Sequence, residues 1–248
     1  GAFVAGHVVA GVGLITTCVA TAATSSTRFS LIPLNSKANG HDIPQEAFTD
    51  SQERLLKGVA VVASGAAWIW AFVLLGQSEI HPAYFVAGHV MIGLACICTS
   101  LIALVATIAR QVRNVYSANE RNRWPRLVLL MGTVSLFWGV FVIFADSSTT
   151  NGVIGYIMIG LGLVCYSISS KVILLAKIWR HEFKLSNRIP MIPILTALTC
   201  LFLAAFAFEL GTIHEDYFIP ARVLVGLGAI CFTLFSIVSI LESGTSSK

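Results

Sequence analysis

Few residues of this chain have side chains suited to acid–base or metal chemistry. The most distinctive are two histidines that follow the same short sequence. His7 and His89 each follow the tetrapeptide Phe-Val-Ala-Gly, and Tyr156 and Arg222 hold the same position in two later, more divergent stretches. An unperturbed histidine takes up a proton at about pH 6.5. The pattern therefore predicts a polar layer, made of His7, His89, Tyr156 and Arg222, that gains charge as its surroundings acidify.

A purely structural explanation of this layer stays open. Each of the four residues stands about five residues into an apolar run, which is a depth of roughly 8 Å at 1.5 Å per helical residue. There, histidine and tyrosine can bond to nearby backbone, and an arginine can extend to the surface. Glu209 and Arg222 flank one short connection, so an ion pair between them is predicted, with clamping of that turn as its simplest role.

Other chemistries find little support in the sequence. The six cysteines lie within apolar runs, which excludes a secreted disulfide framework, and they do not form a four-ligand metal pattern. The sequence lacks the HExxH, CxxC and GxSxG motifs. We therefore expect no catalytic residue, no metal and no cofactor, and a protein that is not an enzyme. A haem between His7 and His89 is the single cofactor alternative.

The elements that position these residues follow from composition. Hydrophobic residues make up 56% of the 248 residues and charged residues 11%, whereas soluble domains carry about a quarter charged residues. Seven apolar runs have the roughly 20 residues that cross a bilayer. These runs cover about 2–23, 55–75, 83–109, 127–145, 152–178, 190–210 and 217–241. The predicted fold is all-α, a polytopic transmembrane helical bundle forming a single domain over 1–248.

The connections between the runs alternate in charge. The connections at 24–54, 110–126 and 177–188 are rich in lysine and arginine, whereas those at 76–82, 146–151 and 211–216 are short and contain neither. Basic loops stay on the cytoplasmic side of a membrane. The sequence therefore predicts a multi-pass protein of the bacterial inner membrane, with the Gly1 end periplasmic and the Lys248 end cytoplasmic.

The four polar positions belong to an internal repeat, with spacings of 82, 67 and 66 residues. Small residues recur seven apart on each patterned helix, hence on one face. These pairs are Gly6 and Gly13, Gly88 and Ala95, Gly155 and Gly162, and Ala221 and Gly228. Helices two and three, four and five, and six and seven then form parallel hairpin units. Since helix one lacks a partner before it, we expect a truncated N-terminus.

Several stretches resemble one known family. Phe85–Val90, Leu104–Asn114, Asn187–Pro193 and Tyr217–Glu242 are similar to the YhiM-like inner-membrane proteins of enterobacteria, and the resemblance extends from Phe3 to the C-terminus. It implies three further helices upstream, which makes ten in the intact protein. It also implies a role in survival in acid, a biochemical activity that is not established, and no catalytic residues to transfer.

These observations lead to one functional expectation and two alternatives. We expect a non-enzymatic membrane protein that supports survival at low pH by sensing or limiting proton entry. The alternatives are a channel or transporter for a small solute or ion during acid stress, and a structural or partner-binding membrane protein. The predicted partners are the lipid bilayer and further copies of the chain in a homo-oligomer, and no nucleic acid.

Overall fold

A computed structural model describes residues 6–7, 9–18, 50–80, 82–112, 123–145, 148–178 and 191–246. Most of the connections predicted to carry the basic charge, at 24–49, 113–122 and 179–190, lie outside these residues, as do both ends of the first predicted run. The described part of the chain is helical and contains no strand. The predicted all-α class is thereby confirmed.

Seven helices follow one another in the part of the chain that the structure describes. The first, α1, is described over Val9–Cys18, with helical residues also at 6 and 7. The others are α2 Asp50–Gly76, α3 Pro82–Val112, α4 Arg123–Ala145, α5 Thr149–Ile178, α6 Met191–Gly211 and α7 Phe218–Ser246, with a 3₁₀ turn at Glu215–Tyr217 before α7. Helices α2 to α7 are each long and apolar enough to span a membrane, which confirms the predicted polytopic bundle.

Three helices extend beyond the predicted apolar runs at the end that carries basic residues. Helix α2 begins at Asp50, α3 continues to Val112, and α4 begins at Arg123. The apolar parts of α2 and α4 cover only Gly58–Gly76 and Arg126–Ala145. The difference has a simple cause: hydrophobicity marks the hydrocarbon layer, whereas the helical hydrogen bonds continue into the polar region beyond it.

The helices pack as three antiparallel hairpins, because the most extensive contacts join α2 to α3, α4 to α5, and α6 to α7. Short connections close each hairpin at one end of the bundle, which we call the short-turn end. Neighbouring hairpins meet mainly through α3, α5 and α7. The apolar spans of α3 and α5 are 78% and 83% buried, against about a third for the others, so these two helices form the centre.

The outer helices present large apolar side chains away from the bundle. Phe72 on α2, Phe137 and Phe144 on α4, and Phe202 on α6 are all well exposed. Such a surface would be a liability in water, but lipid tails solvate it. The even-numbered helices therefore form much of the lipid-facing side, and the odd-numbered helices α1, α3, α5 and α7 form a row that carries the four patterned polar positions.

Candidate functional site

The first polar position, His7, lies at the start of α1 against the short-turn end of α2. The indole Nε1–H of Trp70 donates a hydrogen bond to Nδ1 of His7 at 3.1 Å, and the two rings meet edge to face with centroids 5.6 Å apart. An indole nitrogen can only donate. The accepting Nδ1 therefore carries a lone pair, and His7 is neutral in this arrangement.

The second position, His89, is buried within α3, with 4% of its surface exposed. Its Nδ1 lies 2.8 Å from the carbonyl oxygen of Phe85. Since a carbonyl only accepts, Nδ1 carries the proton and donates it. The imidazole ring contacts the ring of Phe85 at 4.3 Å and that of Trp138 on α4 at 6.1 Å. In the neutral ring, the free lone pair lies on Nε2.

The remaining two positions differ from the histidines in chemistry and exposure. Tyr156 is partly buried, and its ring contacts Phe206 on α6 and Tyr217 before α7, at 6.4 Å and 6.1 Å. Arg222 on α7 is exposed, and so is Glu209 on α6. The predicted ion pair between Arg222 and Glu209 stays a prediction.

The structure distributes the polar positions along the row of odd-numbered helices and gives three of them the same kind of neighbour. His7, His89 and Tyr156 each contact an aromatic ring on the even-numbered helix of the following hairpin. These rings are Trp70, Trp138 and Phe206. The sequence analysis did not identify these three residues. Their regular spacing of 68 residues, from Trp70 to Trp138 and from Trp138 to Phe206, was the pattern that could have indicated them.

A glycine four residues after each of the first three polar positions packs against the next odd-numbered helix. A methyl group added at Gly11 would collide with Met91 and Leu94 on α3. One added at Gly93 would collide with Met158 and Leu161 on α5, and one added at Gly160 with Leu224 and Leu227 on α7. Residues four apart share a helix face. The glycine and the polar residue therefore approach the following hairpin together.

A second set of small residues holds each hairpin closed. An added methyl at Gly88 would meet Leu75 on α2, and one at Gly162 would meet the backbone of Gly132 and Leu136 on α4. In lipid, small residues favour association because they let backbones approach and gain van der Waals contact. The predicted small-residue pairs on α3, α5 and α7 therefore lie at helix contacts. For Gly6 and Gly13 on α1 the prediction was wrong in the described part of the chain, where an added methyl group would meet nothing within 4 Å.

The cysteines are all buried, and their thiols are not joined in disulfides. Cys18 on α1 interacts with Cys98 on α3, and Cys200 on α6 interacts with Cys231 on α7, in each case through a side-chain hydrogen bond. Among the described residues, no group of three or more cysteine, histidine or acidic side chains is placed to hold a metal ion. Small size and packing explain the positions of these thiols.

Comparison with known proteins identifies a protein family and a relative that match this chain. The family described as "Protein of unknown function (DUF2776)" matches residues 1–246. The "Inner membrane protein YhiM" of Escherichia coli (strain K12) is 49% identical over 247 residues, which cover 99% of this chain and 70% of that protein. No solved structure matches.

Proposed function

The chain belongs to the DUF2776 family and is a multi-pass inner-membrane protein, and from this premise we propose that it is a non-enzymatic membrane protein that responds to acid at its short-turn end. The response supports survival at low pH by sensing or limiting proton entry. The observation that carries the proposal is the hydrogen bond from Trp70 to His7, because it exists only while the histidine is neutral.

Protonation of His7 breaks this hydrogen bond, because the charged ring has no nitrogen left to accept it. A charged imidazole carries a hydrogen on both nitrogens, so Nδ1 can no longer accept from the indole of Trp70. The loss of one such bond is worth about 0.5–1.5 kcal/mol. Acid therefore weakens the attachment of the first turn of α1 to α2, at the edge of the row of odd-numbered helices.

His89 adds a second response of a different kind. With Nδ1–H bonded to Phe85, an added proton goes to Nε2, in a site that is almost fully buried. Burial of a charge is unfavourable unless a partner compensates for it. The neighbours Phe85 and Trp138 offer aromatic rings and no carboxylate. Protonation of His89 therefore weakens the contact between α3 and α4.

Few other titratable groups share this end of the bundle. The membrane spans of α2 and α4 contain no histidine, tyrosine, cysteine or acidic residue. The neighbouring titratable and charged side chains are those of Tyr84, Tyr156 and Tyr217, together with the exposed Glu79, Glu209, His214, Glu215, Asp216 and Arg222. Tyrosines stay neutral in mild acid. His7 and His89 are the histidines within the described helices, and the proposed response depends on the hydrogen bond of His7 and on the burial of His89.

The proposed orientation places this response on the side that meets acid first. The short connections at 76–82, 146–151 and 211–216 contain no lysine or arginine, and the basic residues concentrate in the other three. Under the positive-inside rule the short-turn end is periplasmic, and Lys248 is cytoplasmic. Protons that enter the periplasm then reach His7 without crossing the membrane.

Acid survival tests the proposal in cells. A strain carrying His7→Ala and His89→Ala together should survive acid challenge less well than the wild type, at equal amounts of protein in the membrane. The matched control is His214→Ala, which removes an exposed histidine outside the helices and should leave survival unchanged. Wild-type survival of the double variant would overturn the proposal.

Thermal unfolding of the purified protein tests the physical step. Between pH 7.5 and pH 5 the unfolding temperature of the wild type should fall, because a protonated His7 cannot accept the hydrogen bond from Trp70 and a protonated His89 places a charge in a buried site. The loss of one hydrogen bond corresponds to roughly 2–4 °C for a chain of this size. Trp70→Phe removes the donor and should reduce this fall, whereas His214→Ala should not. An equal fall in all three proteins would refute the role of His7.

The alternative, a channel or transporter, would need free polar groups midway through the membrane. Several hydroxyl groups in the described spans are instead bonded between helices, and others bond to a carbonyl oxygen of their own helix, as Ser100 and Thr107 do. Ser64 bonds to Thr99 at 2.9 Å, and Ser167 bonds to Thr196 at 2.6 Å. These bonds join α2 to α3 and α5 to α6, which favours a sealed bundle. Proton or solute flux into liposomes under a pH gradient distinguishes the alternatives, since a sealed bundle gives none above empty vesicles.

A further inference from the structure

A groove between α1 and α2 opens on the side of the bundle, at the end opposite the short turns. Its volume is about 530 Å³. The α2 wall includes Arg54, Gly58, Val62 and Ala66, which are four residues apart and therefore share one helix face. The groove thus follows the axis of α2, with an arginine at its outer end and apolar residues along its length.

The lining of the groove is apolar apart from Arg54. Val59 and Val62 on α2 are 37% and 71% exposed. On the α1 side, Thr17 lines the groove, and its hydroxyl donates a hydrogen bond to the carbonyl oxygen of Gly13 at 3.0 Å. A hydrocarbon chain suits such a lining, whereas a polar solute would find few groups to bond to.

The position of the groove along α2 matches one leaflet of a bilayer. The apolar span Gly58–Gly76 has 19 residues, or about 28 Å of helix, close to the roughly 30 Å of the hydrocarbon core. Arg54, which is exposed, precedes this span by about 6 Å and so lies at the depth of the lipid headgroups. From Gly58 to Ala66 the groove runs about 12 Å, most of the depth of one leaflet.

A glycine keeps the groove open at a place where the other even-numbered helices carry larger residues. In the 68-residue spacing that relates these helices, the counterparts of Gly58 are Arg126 on α4 and Ile194 on α6. A methyl group added at Gly58 would meet nothing within 4 Å in the described part of the chain. Among the described helices, α2 does not pack extensively against α4. A helix that preceded α1 in the same arrangement would likewise leave the groove between α1 and α2 uncovered.

We propose that this groove binds an anionic phospholipid, with the headgroup phosphate on Arg54 and an acyl chain between α1 and α2. Basic pockets between membrane helices bind anionic headgroups, and a guanidinium group can donate two parallel hydrogen bonds to one phosphate. In the orientation proposed above, the lipid comes from the cytoplasmic leaflet. The bound lipid joins α1 to α2 at the end remote from the bond between Trp70 and His7. The site goes beyond the proposed acid response and does not depend on it.

Mass spectrometry of intact protein–lipid complexes tests the two parts of the site separately. Purified protein is mixed with phosphatidylglycerol or with phosphatidylcholine of the same acyl chains. The wild type should bind one phosphatidylglycerol about fivefold more tightly than phosphatidylcholine. Arg54→Gln should remove this preference and retain lipid, because only the charge is lost. Gly58→Leu should remove both lipids from the site, because the new side chain fills the groove.

The matched control is Gly65→Leu, which should bind lipid as the wild type does. Gly65 lies on α2 outside the groove and also has nothing within 4 Å. Both leucine variants must keep the wild-type unfolding temperature to within a few degrees. An unchanged preference in Arg54→Gln, or equal lipid binding by the two leucine variants, would overturn the proposal. A protein dimer that only Gly58→Leu dissociates would do so too, because a second copy would then occupy the groove.

Photo-cross-linking in membranes tests the location without altering the groove. A phosphatidylglycerol with a photoreactive group in its acyl chain should label Val62 more strongly than Leu198, its counterpart on α6, which is 52% exposed. Excess unlabelled phosphatidylglycerol should suppress the labelling of Val62, and phosphatidylcholine should not. Equal labelling of both residues, insensitive to either competitor, would show ordinary surrounding lipid only and would refute a specific site.

Discussion

Replacement of Gly155 by alanine tests the packing of α5 against α4. A methyl group at Gly155 on α5 would lie 2.7 Å from the carbonyl oxygen of Gly139 on α4 and would also collide with Ile143. A backbone oxygen cannot turn aside, so the two helices must separate. Overpacking of this kind costs about 1–3 kcal/mol, and contact with backbone places Gly155→Ala near the upper end.

The helix propensity of alanine is also more favourable than that of glycine, by about 1 kcal/mol. The net loss for Gly155→Ala is therefore about 2 kcal/mol, which corresponds to a fall of roughly 4–8 °C in unfolding temperature. Gly93→Ala meets the flexible ends of Leu161 and Met158, so overpacking of about 1 kcal/mol and the gain in propensity nearly cancel. Gly65→Ala meets nothing and should raise the unfolding temperature by roughly 2–4 °C.

The assay can use the protein's own thiols. All six cysteines are buried thiols outside any disulfide, so a dye that fluoresces on reaction with a thiol reports unfolding in detergent without further labelling. The expected order of unfolding temperatures places Gly155→Ala lowest, Gly93→Ala beside the wild type, and Gly65→Ala highest. The packing of α4 on α5 is wrong if Gly155→Ala unfolds at or above the wild-type temperature while it inserts at wild-type levels.

Two further predictions concern contacts between helices. Oxidation in membranes should cross-link Cys200 to Cys231 within one chain, because their thiols interact; Cys200→Ser should remove the product, and its persistence would contradict the register of α6 on α7. Ser135→Ala removes a buried hydrogen bond from α4 to the carbonyl oxygen of Met158 on α5, at 2.8 Å, and should lower the unfolding temperature by roughly 2–4 °C. Thr199→Val removes only an exposed bond within its own helix and should leave the temperature unchanged, so equal effects of the two variants would argue against the contact.

The helices and their pairing were predictable because lipid imposes strong rules on sequence. A span needs about 20 apolar residues, and short connections force consecutive helices to lie antiparallel. The apolar run from 83 to 109 and the short turn before it therefore indicated the α2–α3 hairpin. The ends of the helices were less predictable, as Val112 and Arg123 show, because a helix continues into the polar region where hydrophobicity no longer marks it.

The partners of the polar positions were not predictable in the same way. The repeated Phe-Val-Ala-Gly-His pattern lies on α1 and α3, so it identified His7 and His89 without naming what they contact. Their neighbours, Trp70 and Trp138, stand on helices that lack any repeated motif. A spacing of 68 residues becomes informative only when the following hairpin is known to cover the polar position. That information belongs to the tertiary structure, since it depends on how one hairpin packs against the next.

The same packing arrangement thus places different polar side chains along the row of odd-numbered helices. The interface glycine sets the distance to the next hairpin, and the polar residue four positions earlier is carried to the same place on that hairpin. At α1 the place holds a histidine that accepts from an indole, and at α3 a buried histidine that donates to its own backbone. At α5 it holds a tyrosine, which stays neutral in mild acid. In the proposed function, sensitivity to acid therefore belongs to particular side chains in a common interface, so packing and the proposed proton response can be altered separately by substitution at Gly93 and at His89.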